Sequence, residues 1–60
     1  MKPTINLSEC NGNVFAILGM AQRVAKRNNM TEAWAKIKLE ATSGDYDHLL
    51  QTIMKYFEVE

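Results

Sequence analysis

The chain has 60 residues, 47% of them hydrophobic, with seven basic and seven acidic side chains that cancel to zero formal charge. This length allows one domain at most, spanning residues 1–60, with a core too small to waste any apolar face. Zero net charge excludes general nucleic-acid binding, which draws on a basic excess, and it lowers the barrier to self-association.

Thr4-Ile5-Asn6-Leu7 alternates polar and apolar residues after Pro3, the pattern of a short half-buried strand. Ser8 to Gly12 is rich in turn formers and reads as a loop. From Val14 the period becomes helical: Val14, Ile17, Leu18, Ala21, Val24 and Ala25 share one stripe. Asn11 or Asn13 is placed to cap this helix, and Arg23, Lys26 and Arg27 complement its C-terminal dipole. Asn28-Asn29 end it. Phe15, Gly19 and Met20 lie off the stripe and predict burial on a second side, within the fold or against another copy.

Thr31 reads as the N-cap of a second helix over about Glu32 to Thr42, with Trp34, Ile37 and Ala41 inward and Ala33 and Leu39 at the edges. Glu32/Lys36 and Lys36/Glu40 have the spacing of helical ion pairs. Ser43-Gly44 stops this helix, with Gly44 expected as a left-handed C-cap. Asp45 then caps a third helix whose stripe is Tyr46, Leu49, Leu50, Ile53 and Phe57, with Met54 alongside. Phe57 to Glu60 alternates again and is placed to pair with Thr4–Leu7. The expected fold is mainly α (α+β), a three-helix mini-domain with a small two-stranded sheet joining the N- and C-terminal segments, in the order β-α-α-α-β.

Ser43 to Leu50 concentrates the polar chemistry: two aspartates, a glycine and the single histidine. Its first reading is a helix stop followed by a helix start. In that reading Gly44 and Asp45 serve the fold, while Asp47 and His48 remain to contact a partner. The interaction candidates are Asp45, Tyr46, Asp47, His48 and Trp34. A metal reading would join His48 to Asp45 or Asp47 and to Cys10 or Glu40. That set has neither zinc-finger spacing nor the oxygen ligands of a calcium loop, so no metal or cofactor is assigned. A Cys10–His48 nucleophile would also need an oxyanion hole and a cleft, so no catalytic residue is assigned and the chain is read as a non-enzyme.

Anion capture is the alternative. The Asn11-Gly12-Asn13 turn precedes a helix with no acid in its first turn, and Arg23 and Arg27 would supply charge to a small anionic ligand such as a nucleotide, with His48 or Tyr46 stacking on its base. A single glycine is no phosphate-binding loop.

The lone cysteine excludes an intramolecular disulfide and favours a cytoplasmic setting. No signal-like or membrane-spanning apolar run is expected, since the longest one, Val14 to Ala21, contains Gly19. Gly12 to Gly19, Glu40 to Leu50 and Met54 to Glu60 resemble a family of small uncharacterised proteins encoded by bacteriophages, prophages and integrated mobile elements. The resemblance implies a bacterial cytoplasmic setting and brings no activity. The expected role is a small protein-interaction or accessory module with an unknown protein partner, as a possible homodimer.

Overall fold

The computed structural model describes residues 2–10 and 12–60, with Glu9 described by its backbone alone. The chain runs through β1 (Thr4–Ile5), a 3-10 turn (Ser8–Cys10), α1 (Val14–Arg27), α2 (Thr31–Ala41), α3 (Tyr46–Tyr56) and β2 (Glu58–Val59). The two strands pair in parallel, with Thr4 opposite Glu58 and Ile5 opposite Val59. The β-α-α-α-β order is as expected, but β1 is shorter. Asn6 Oδ1 accepts the Ser8 N–H at 2.9 Å and the Ser8 hydroxyl at 2.6 Å, and this local turn ends the strand before Leu7.

All three helices bury one side into a shared core. Ile17, Ala21 and Ala25 come from α1, Trp34, Ile37 and Ala41 from α2, and Leu49 and Ile53 from α3. Ala21 and Ala25 are fully buried, and their small side chains let the neighbouring elements close on the helix. Ile5 and Phe57, each 1% exposed, seal the core beside the sheet. Phe57 follows α3 immediately: its backbone is extended, yet its N–H still reaches Ile53 O. It therefore turns the helix into the strand while its ring stays inside. Thr52 is also buried, its hydroxyl donating to His48 O at 2.8 Å.

Not every expected apolar position is inside. Met20 packs against the core, but Val14 is exposed, Leu39 is 74% exposed and Phe15 is 85% exposed. The second face expected on α1 is therefore only partly covered.

The α1–α2 turn is a Schellman motif. Asn29 takes a left-handed φ of 58°, Met30 N–H reaches Ala25 O at 2.8 Å, and Asn29 N–H reaches Lys26 O at 3.3 Å. Met30 closes α1 and also begins α2, because its carbonyl accepts the Trp34 N–H at 2.7 Å. Thr31 is consequently the first residue of α2 and not its N-cap; Met30 holds that position without a side-chain cap bond.

Gly44 is corrected as well. Left-handed backbone among the described residues is confined to Gly12 and Asn29. Side-chain hydroxyls close α2 instead: Thr42 Oγ1 donates to Lys38 O at 2.8 Å and Ser43 Oγ to Glu40 O at 2.7 Å. With those carbonyls satisfied, no left-handed turn is needed. Gly44 answers a different demand, since a Cβ there would sit 2.8 Å from His48 Cγ.

Candidate functional site

The corner between α2 and α3 is built as two caps locked together. Asp45 Oδ1 accepts the His48 N–H at 2.9 Å and closes the start of α3. The His48 ring turns back across Gly44, and its Nε2 lies 2.8 Å from Glu40 O. A carbonyl only accepts, so Nε2 carries the proton. Ser43 Oγ, already donating to Glu40 O, lies 3.3 Å from the same nitrogen. Glu40 O therefore receives both the serine and the histidine, and the ring serves as a side-chain cap on the end of α2. His48 is not free for a partner. The side chains of Tyr46 and Asp47 are exposed and make no hydrogen bond within the motif.

The Glu40 side chain reaches across to α3. Tyr56 Oη donates to its Oε1 at 3.0 Å, and Lys55 Nζ lies 3.3 Å from its Oε2. The ammonium also stands 5.1 Å from the Tyr56 ring centroid. The tyrosine hydroxyl, and then the lysine, hold the Glu40 carboxyl below the usual glutamate range; Glu40 in turn raises the Lys55 ammonium above the usual lysine range. Among the described residues this is the only ion pair, so the expected Glu32/Lys36 and Lys36/Glu40 pairs do not form. Glu40, His48, Gln51, Thr52 and Lys55 line a shallow depression. Glu40 and Tyr56 are the residues that sequence reasoning missed here. Their 16-residue separation leaves no periodic signal, and Glu40 was already explained by its helical neighbours.

The Glu40 contacts make a pH-dependent prediction. A carboxyl whose pKa is lowered by folding stabilises the protein above its unfolded pKa, and that contribution fades as pH falls through the folded value. Glu40→Gln is expected to melt a few degrees lower at most at neutral pH, because a surface pair contributes little. The difference should close at acid pH, once the Glu40 carboxyl is protonated in the folded as well as the unfolded protein. Circular-dichroism melts of both proteins across pH 2–8 check this; a constant gap would show that the charge is not involved.

The remaining candidates divide. Trp34 is 7% exposed and belongs to the core. Asn13 caps α1, its Oδ1 accepting from the Phe15 N–H at 2.9 Å and the Ala16 N–H at 3.4 Å, which occupies donors an anion would need. Asn11 lies outside the described residues. Arg23 stands about 15 Å, and Arg27 about 21 Å, along the helix axis from Asn13. The structure therefore does not gather the anion-binding set around one ligand. It does join two sets that sequence kept apart. Gly12, at φ +71°, lies beside α3, and a Cβ on it would be 3.5 Å from Tyr46 Oη. The tip of Tyr46, the first residue of α3, thus reaches the turn that precedes α1.

Cys10 is buried. Among the described residues no three His, Cys, Asp or Glu side chains converge as metal ligands, and no helix is long and apolar enough to cross a membrane. No family model matches the chain, and no curated protein or solved structure was found to be similar to it.

Proposed function

We propose that this chain is a small non-enzymatic protein-interaction module, of the mobile-element type, acting in the bacterial cytoplasm. The observation that carries the reading is Phe15, a phenylalanine 85% exposed on a surface helix of a protein too small to spare apolar residues. Tyr46, 42% exposed, borders Gly12 just before that end of α1, and the exposed Asp47 follows it in the chain. The polar groups that looked reactive in sequence hold the corner together: Asp45 and His48 cap helices, and so does Asn13. What remains outward is an aromatic and acidic contact surface, suited to another protein. Phe15 and Tyr46 supply apolar area, and Asp47 supplies charge.

A tagged copy expressed in bacterial cells tests this. One protein, whether another gene product or an untagged copy of this chain, should co-purify stoichiometrically. It should be lost with Phe15→Ser or Asp47→Lys, while both variants keep the wild-type helicity and melting temperature. Identical capture by wild type and both variants would overturn the reading.

A further inference from the structure

The solvent side of α1 holds a second feature that the monomer does not use. At 100° per residue, Phe15, Gly19, Gln22, Arg23 and Lys26 share one face, and all are exposed. Gly19 is central to it. A Cβ there would meet nothing within 4 Å, so the fold has no need of a residue that weakens a helix. Gly19, Gln22, Arg23 and Lys26 surround a shallow depression of about 290 Å³. Their spacing is i, i+3, i+4, i+7, the four positions that form a hole for a side chain from a facing helix. One turn before Gly19 stands Phe15, a knob without a hole.

We propose that two copies of this chain pair through antiparallel α1 helices about a two-fold axis at Gly19. The inference rests on the reading of Phe15 as a contact residue and names its partner. With the axis there, Phe15 of each copy faces Arg23 of the other and enters the four-residue hole, its ring beneath the guanidinium. Gly19 faces Gly19, where the missing side chains let the backbones approach closely. Lys26 faces Gly12, the position that the Tyr46 hydroxyl borders, with Asp47 the next residue along the chain to offer it a charge. Charge supports this orientation. α1 has no acidic residue and three basic ones near its C-terminal end; an antiparallel pairing keeps the two basic ends apart and brings each to the acidic start of the partner's α3. Such a contact is isologous and closes at two copies. A stable interface needs roughly 800 Å² from each partner, about a fifth of the 4254 Å² surface. A helix about 21 Å long supplies part of this, and the Tyr46–Asp47 corner extends it.

Sedimentation of the wild type should show a mass rising with concentration from 6.8 kDa towards twice that value. Under mild oxidation Gly19→Cys should give a covalent dimer, because residues on a two-fold axis meet within disulfide reach. Arg27→Cys should not, since its two copies would lie about 24 Å apart along the axis. Lys26→Glu should weaken association about tenfold, and Asp47→Lys in the same chain should restore it. Equal cross-linking at positions 19 and 27, or none at 19, overturns the geometry; so does a Lys26→Glu protein that associates like wild type. A wild type that stays at 6.8 kDa up to about 1 mM, while Phe15→Ser still loses a captured protein, sinks the dimer and leaves the interaction reading intact.

Discussion

Phe57→Ala is expected to lower the melting temperature by about 15 °C or more, or to abolish the cooperative transition. Removing a buried phenylalanine side chain costs about 3–5 kcal/mol. A domain of this length has only roughly 3–9 kcal/mol in total, and each 1 kcal/mol moves the midpoint by about 4–8 °C. The site has little capacity to collapse around the cavity. Phe57 is 1% exposed, its N–H is tied to Ile53 O, and the next residue pairs with β1. Phe15→Ala is the matched control. The same atoms are deleted from a residue 85% exposed, and the stability change should stay within about 0.5 kcal/mol. Thermal and urea denaturation followed at 222 nm check both. A Phe57→Ala protein melting within about 5 °C of wild type would show that this ring is not central to the core.

Gly44→Ala is expected to destabilise by about 1–3 kcal/mol, the range for forcing extra atoms into a packed site. The new Cβ would lie 2.8 Å from His48 Cγ and 2.9 Å from its Cβ. These atoms are near the root of the side chain, where a rotamer change gives little relief. Moving the ring away would sacrifice the Nε2 contact to Glu40 O. The effect should therefore depend on His48. Once His48→Gly has removed the whole side chain, Cβ included, adding Gly44→Ala should cost less than half as much, a coupling that a double-mutant cycle measures. A glycine needed for left-handed backbone would show a cost independent of residue 48.

These two residues also show what was legible in the sequence. The stripes of α1 and α3 recur at helical spacing over several turns, and they located both helices and most of the core. Alternation at the two ends located the strands, and Phe57, which the sequence puts both in a helical stripe and in the strand, stands between the two as the C-cap of α3. Caps were harder because side chains compete for the same backbone groups. Thr31 looked like a cap, but the left-handed Asn29 lets Met30 begin α2. Gly44 looked like a C-cap, but Thr42 and Ser43 had already satisfied the carbonyls. The Glu40–Tyr56 bond joins two helices, and the contact between Gly12 and Tyr46 joins a loop to a helix start. No period in the sequence encodes either. Only the packing angle of the helices brings those residues together.

The sheet that joins the chain ends has a further consequence. A sheet of two strands is nothing but edges, and an open edge is a template on which other chains can add. Here the template is two residues long. Pro3, which has no N–H, stands at one end of it. Glu58 and Glu60 direct their N–H groups to Pro3 O and Ile5 O, at 2.8 and 2.9 Å, and both carry negative charge. A further strand would find few free groups to pair with and two carboxylates beside them. Strand addition therefore has little edge to grow on.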